Sequence, residues 1–360
     1  MDLALNLPLN NLSFGQTSFA IIKNLYERKI NAKIFPIGQS VDLSAQKINP
    51  DLGEWLKKAI SNSENFSRKE KIFKLWHING SLESYAEKQV LFSFYELDSP
   101  TKQELNIVKN NHKVIFSSKY CCDIFKKYDC SNIEHVPLFF DKNNFNETKK
   151  KYFQDERITF NLVGKLEKRK NHKLVIQSWL KRYGNNPKYF LQCSIFNPFL
   201  KQEDQNNLIS SILEGKRYFN ISFLGFMQTN EIYNDYLNSA DIIIGMSGGE
   251  GWGLPEFHSL ALGKHAVILD AHVYKDWANK DNAVLVEPSN KIEAYDNMFF
   301  QKDSPFNQGN IFTFKEDSFI NGCEEAIKRC ESNRVNSKGL ELQNEFTIDN
   351  TVSKILKLME

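Results

Sequence analysis

No stretch of this 360-residue chain approaches the ~18 consecutive apolar residues that a membrane-spanning helix requires. The N-terminus, MDLALNLPLNNLSFG, has neither a basic start nor an unbroken apolar core, so a secretory leader is not expected. Cysteine is sparse. Cys121, Cys122, Cys130, Cys193, Cys323 and Cys330 include no Cys-x-x-Cys pair, which removes the usual zinc and dithiol signatures. Several of these cysteines lie in apolar runs and are expected as buried free thiols, which fits a reducing cytoplasm. Net charge is only +2, so no overall field singles out nucleic acid or membrane. There is no internal repeat.

What is present is an ordinary globular composition, 41% hydrophobic and 25% charged, in a chain long enough for two α/β domains. The charge is uneven. Residues 1–150 hold 21 Lys and Arg against 17 Asp and Glu, a surplus of +4, and the remainder stands at −2. A mildly basic N-terminal half is compatible with an anionic acceptor or simply with a solvated surface.

Strands and helices alternate along the sequence. Strands are expected at 2–8, 32–37, 72–78, 90–96, 114–117 and 133–138. Helices are expected at 18–28, from Thr101 and over 119–127. Thr101 with Glu104 three residues on is a capping box. Residues 139–157, rich in Asn and Lys and without either period, read as an interdomain linker. The pattern then restarts, with strands at 158–163, 188–194, 219–224 and 241–246. Helices alternate with them at 171–182, 201–213 and 229–238, and a helical tail covers 316–360. Such alternation means two doubly wound parallel sheets, with ligands at the carboxyl ends of the strands.

The most informative segment is SGGEGWGLPEFHSLALGKHAVI, 247–268. Before it lies the apolar run at 240–245, and Ala266–Leu269 closes it with another. Strand, glycine-rich turn, helix with an early proline, terminal glycine and strand make one βαβ unit. The turn presents backbone N–H groups at a helix N-terminus, the physical basis of an anion site. Glu250 at its mouth is unfavourable beside an anion unless it has another task, such as holding sugar hydroxyls.

Glu250, Gly251, Trp252, Gly253, Leu254 and Pro255 resemble the donor-site motif of the family 4 glycosyltransferases, the glycosyl transferases group 1 of GT-B fold. That motif carries a second glutamate eight residues after the first, and here the position is His258. Glu256 lies two residues from that position, roughly 200° around a helix, and is expected to face elsewhere. A second match is FNLVGKLEKRKNH, 160–172, in which Gly164, Lys165, Leu166 and Lys170 fit the family's Gly-basic-Leu followed by Lys. The alternative is a solvated basic run, since Lys165, Lys168, Arg169, Lys170 and Lys173 are all cationic.

Other positions are less specific. Gly15, in the loop expected over 10–17, permits close backbone approach to a donor phosphate, and an ordinary βα turn is the alternative. His77, Glu96 and Asp98 follow strands of the first half and are acceptor-side candidates. Capping by Asp98 or Ser99 and a structural role for His77 are the alternatives. Gly225 and Phe226 end a strand where the family places part of its nucleobase pocket, with strand-end packing as the alternative. His258, His265 and His272 recur every seven residues, yet they fall on a helix, at a strand start and after that strand, so no metal site is expected.

The resemblance implies a GT-B α/β fold of two Rossmann-like, doubly wound parallel-sheet domains facing a central cleft. The domains are placed at 1–145, joined by a crossover helix at about 340–360, and at 155–335. It implies a retaining transfer of sugar from a nucleotide-diphosphate sugar, as co-substrate, to a hydroxyl acceptor, with no further cofactor. Glu250 would hold the donor sugar, and Lys165, Lys170 and the amides of Gly251–Leu254 the diphosphate. His258 would stand in for the ribose-binding glutamate. A cell-surface glycan is the first acceptor, with hydroxymethylated cytosine in viral DNA as an alternative. A catalytically weak sugar-nucleotide binder is another. The expected place is the cytoplasm, the host's if the source is viral, with peripheral membrane contact left open.

Overall fold

The computed structural model describes residues 3–38 and 40–360. They form two compact units. The first takes the N-terminal residues through Asn144, with Asp303–Gln308 and Asn344–Glu360; the second takes Phe145–Lys302 and Gly309–Gln343.

In the first unit, the elements run β1 (Leu3–Pro8), α1 (Ser13–Glu27), β2 (Ala32–Ile37), α2 (Pro50–Ser61), β3 (Lys71–Leu75), β4 (Lys88–Ser93), α3 (Lys102–Asn110), β5 (Lys113–Phe116), α4 (Lys119–Lys126) and β6 (Ile133–His135). Position 2, expected to open β1, lies outside the described residues. The strands pair in parallel in the order β2-β1-β3-β4-β5-β6. Central strands such as β1 are buried along their whole length, which is why they read as continuous apolar runs.

In the second unit, β7 (Ile158–Val163), α5 (His172–Tyr183), β8 (Tyr189–Ser194), α6 (Gln202–Ile212), β9 (Ile221–Phe223), α7 (Asn230–Asn238), β10 (Ile242–Gly245), α8 (Leu254–Ala261), β11 (His265–Leu269) and β12 (Val284–Val286) follow. Their sheet is also parallel, in the order β12-β11-β10-β7-β8-β9. A small antiparallel ribbon joins β13 (Asn290–Glu293) to β14 (Asn310–Thr313), and α9 (Glu316–Ser332), α10 (Ser337–Leu340), α11 (Leu342–Glu345) and α12 (Ile348–Met359) end the chain. The last of these packs on α1. There Asp349 receives Arg28 at 2.9 Å and Asn24 at 3.1 Å.

Several sequence expectations shift at element ends. Strands expected to reach 78 and 96 stop at Leu75 and Ser93, so Trp76, His77, Phe94 and Glu96 lie beyond the sheet. The capping box at Thr101 forms. The segment 139–157 contains no helix or strand, but its aromatic residues tie it down: Phe139, Phe140 and Phe145 are buried. Helix α2, opened by Asn49 accepting from Leu52 N–H with Pro50 behind it, is an element that apolar periodicity alone does not announce. All six cysteines are buried free thiols. Among the described residues no helix is long and apolar enough to cross a membrane.

The loop expected over 10–17 is shorter, because α1 already begins at Ser13. Gly15 therefore sits in its first turn. A Cβ there would stand 2.0 Å from the Asn10 carbonyl oxygen, so the glycine is accounted for by the chain's own backbone. Gly15→Ala is accordingly expected to lower the thermal midpoint of the ligand-free protein, by an overpacking cost of about 1–3 kcal/mol. An unchanged midpoint in differential scanning calorimetry would contradict this.

Candidate active site

Two connections of the second unit meet at the carboxyl edge of its sheet, because β7 and β10 are neighbours and parallel. The one after β7 begins with Gly164 at φ 121°, a conformation that side chains rarely adopt. Lys170 Cε and Nζ lie 3.1 and 3.2 Å from where a Gly164 Cβ would be, so the glycine lets the lysine stem lie across the backbone. Asn171, left-handed at φ 55°, then turns the chain into α5. Its side chain donates to Met246 O at 2.9 Å and Phe312 O at 3.1 Å, tying the two connections together.

The connection after β10 is the glycine-rich turn. Gly248 exchanges backbone hydrogen bonds of 2.8 Å with Arg169 O and Phe312 N–H, and a Cβ there would stand 2.3 Å from Phe312 O. Gly253 caps α8 in the left-handed region at φ 78°. Trp252 is buried, edge-on to Phe257, and its carbonyl accepts from Trp277 Nε1 at 3.0 Å, so it anchors the turn from the core side.

Between these connections lies a buried group of charges. Lys170 Nζ pairs with Glu250 Oε1, and Arg169 Nη1 reaches the same oxygen at 3.2 Å. Arg169 also donates to Gly249 O and pairs with Glu167 at 2.6 Å. Lys170, Arg169 and Glu250 are only 8, 3 and 6% exposed. Burial alone would lower the Lys170 pKa; the Glu250 carboxylate overcomes this and holds it above the ordinary lysine value. Burial alone would raise Glu250, but Lys170 and then Arg169 hold it well below the usual carboxylate range. The expectation of a solvated basic run thus fails for Arg169 and Lys170; Lys168 and Lys173 are exposed, and Lys168 donates to Glu293 O and Tyr295 O at 2.7 and 2.9 Å.

Glu256 also belongs to this group, against the expectation that its helical phase turns it away. Its carboxyl tucks under the turn: Oε2 is 3.2 Å from where a Gly253 Cβ would be, and Cγ 2.8 Å from that of Gly245. The Tyr274 hydroxyl lies beside it. Burial pushes Glu256 up to about 7; Lys170 opposes that rise and the charge of Glu250 adds to it. His172 and His272 are driven down to about 3 and about 4, by burial first, and are neutral. His272 donates to Ser247 O at 2.9 Å, bracing the start of the turn.

Other expected positions are not brought into this group. His258, two residues on from Glu256, is buried with its ring stacked on Phe145 at 4.1 Å. Lys165 is partly exposed and lies over the rings of Phe299 and Phe199, at 4.6 and 5.4 Å. Phe226 is 40% exposed, next to Phe196, and Gly225 has open space around it. Gly15, His77, Glu96 and Asp98 belong to the first unit. His265 bonds Asn333 O at 2.7 Å, and among the described residues no three His, Cys, Asp or Glu side chains converge as a metal site. Arg169, Glu167, Glu256 and Tyr274 escape sequence reasoning, since nothing in a charge run or a helical phase says which members fold inward.

Residues 143–298 match the family model of the glycosyl transferases group 1. A curated relative from Sulfolobus islandicus rod-shaped virus 1, described as an uncharacterized glycosyltransferase, is 26% identical over 200 residues. That match covers 56% of this chain and 56% of the relative, so the chain spans about half the length of the curated relative it matches. Among solved structures, sucrose-phosphate synthase from Thermosynechococcus elongatus has a TM-score of 0.69 at 13% identity, over 99% of this chain and 98% of that one. HepE of Anabaena, solved with UDP and glucose, has a TM-score of 0.66 at 13% identity, over 100% of this chain and 99% of that one. The fold is GT-B.

Two outcomes follow from this geometry. Glu256 is protonated in the folded chain between its unfolded value of 4.5 and about 7, where the unfolded chain has lost that proton. Its contribution therefore falls as pH rises through this window. Glu256→Gln should remove that fall and raise stability at pH 8, on the order of 1–3 kcal/mol. Melting curves from pH 4.5 to 8 that keep the same slope in the variant would refute this. His258→Ala should lower the thermal midpoint through the lost stacking on Phe145, about 0.5–1.5 kcal/mol beyond area. It should leave uridine diphosphate affinity by calorimetry within about twofold, and a larger loss would place the ring at the nucleotide.

Proposed function

We propose that this chain, whose residues 143–298 match the family model of the glycosyl transferases group 1, moves a sugar from a nucleotide-diphosphate donor to a hydroxyl acceptor with retention of anomeric configuration. The observation that carries this reading is the buried group Lys170–Glu250–Arg169 beside the N-terminus of α8. Two fixed cations and oriented amides are what a diphosphate leaving group needs as charge builds on it. The cations and amides are already in place, so the reorganisation required when the donor arrives is the turn of Glu250 toward the sugar.

In this reading the bond between the anomeric carbon and the β-phosphate oxygen breaks, and a bond to the acceptor oxygen forms on the same face. The acceptor proton passes to the departing diphosphate. Lys170 and the amides of Gly251–Leu254 hold the diphosphate, and Glu250 turns its carboxylate to the hydroxyls of the donor sugar. Gly164 is required so that the lysine stem can lie close to the chain. Lys165, held over Phe199 and Phe299, stands at the mouth of the same connection as a second cation for the diphosphate. Gly225 and Phe226 line the nucleobase side. The HepE structure holds UDP and glucose, which makes UDP-glucose the first donor to test.

Glu250→Gln removes the anion that two buried cations share. Breaking a buried pair in this way typically costs about 3–5 kcal/mol. The variant should melt earlier, regain much of that loss when uridine diphosphate is added, and transfer sugar at least a hundredfold more slowly. Lys170→Ala should instead weaken uridine diphosphate binding about tenfold to a hundredfold, as expected for a charge-assisted contact. Calorimetric affinities that leave Lys170→Ala unchanged, or a Glu250→Gln enzyme with normal turnover, would overturn the assignment.

A further inference from the structure

The first unit carries a second, separate concentration of unusual side chains. Phe14 stands in the first turn after β1, Trp76 and His77 directly after β3, and Phe94 directly after β4. These strands are adjacent and parallel in the order β1-β3-β4, so the three exits lie side by side at one edge of the sheet. The rings form one cluster. Phe14 is stacked on Phe94 at 4.3 Å and tilted against His77 at 4.5 Å, with Trp76 at 5.9 Å. Phe14 is the buried base; Trp76 and Phe94 are partly exposed, and His77 is exposed. Clustered aromatic rings left partly exposed at the carboxyl ends of strands mark a binding face more than a core defect.

The polar side chains around this edge decide what can bind. The residues that follow the strands there, 9–12, 38, 40–49, 76–81, 94–102 and 117–119, contain three carboxylates, Asp42, Glu96 and Asp98, and three lysines, Lys47, Lys102 and Lys119. The positive surplus of the N-terminal half therefore lies elsewhere. A phosphate backbone needs clustered cations, and among the described residues this edge has single lysines on separate connections, matched by as many carboxylates. A neutral ring with an apolar face and a rim of hydroxyls suits it well: the face stacks on aromatic rings and the hydroxyls donate to carboxylates.

We propose that Phe14, Trp76, His77 and Phe94 form a stacking platform for a sugar ring of the acceptor, with Glu96 and Asp98 as acceptors for its hydroxyl rim. This rests on the acceptor half of the proposed transfer and names its substrate class as carbohydrate. The test uses the full chain and a panel of free gluco-, galacto-, manno- and N-acetylhexosamine oligosaccharides, followed by saturation-transfer NMR. Uridine diphosphate binding is titrated in parallel. The expected result is saturation transfer to ring protons of at least one oligosaccharide. Its affinity should fall about tenfold in Phe94→Leu, which keeps apolar volume, and in Trp76→Ala, while uridine diphosphate affinity stays unchanged in both. An unaltered chain that binds an oligosaccharide through these rings but binds no uridine diphosphate would sink the donor reading and leave the platform standing. The platform is overturned if no oligosaccharide binds, or if the one that does ignores both substitutions. A hydroxymethylcytosine duplex, run alongside, that binds in place of the sugars and needs the same rings overturns it too.

Discussion

Charge neutrality in a buried space is the constraint around which the second unit is arranged. Two cations, Arg169 and Lys170, are buried there, and Glu250 answers both. Removing any one leaves a charge that the interior cannot solvate. Surrounding features serve that balance. Glu167 takes the outer nitrogen of Arg169, and the buried histidines stay neutral. Glu256 is added as a carboxyl that burial protonates, so that a third acid does not unbalance the group.

Backbone geometry is fitted to the same end. Gly164, Gly248 and Gly253 each stand where a Cβ would collide with a neighbour or strain the chain. Each lets one segment lie against another: a lysine stem, the ribbon strand β14 and the ring of Tyr274. The turn is thereby stitched to β14 and to the connection after β7 before any ligand arrives. A site so fixed suits electrostatic catalysis, in which dipoles and charges must not have to move.

The two units show contrasting chemistry at the carboxyl edges of their sheets. The second concentrates cations and amides, fit for phosphate. The first gathers aromatic rings among balanced charges, fit for a neutral hydroxylated ring. Overall charge conceals this, because lysines on helices and strand starts set the sum while a few loop residues set the local field.

The sequence by itself determined the fold class, since short β-branched runs alternating with amphipathic helices leave few arrangements other than parallel α/β sheets. It also singled out the glycine turn at 247–253 and the Gly164–Lys170 connection, because their spacing is local and survives without tertiary knowledge. The tertiary structure decided which charges fold inward. Arg169 and Lys170 are buried while Lys168 and Lys173 are not, although all four are alike in sequence. It likewise turned Glu256 toward Lys170 and laid His258 on Phe145, a choice that helical phase could not make without the direction of α8 in its sheet. The same holds for Gly15, whose purpose depends on a carbonyl five residues back that approaches only once α1 begins at Ser13. The platform rings, scattered over residues 14 to 94, become neighbours only because β1, β3 and β4 pair. That pairing is a long-range contact, and no local pattern encodes it.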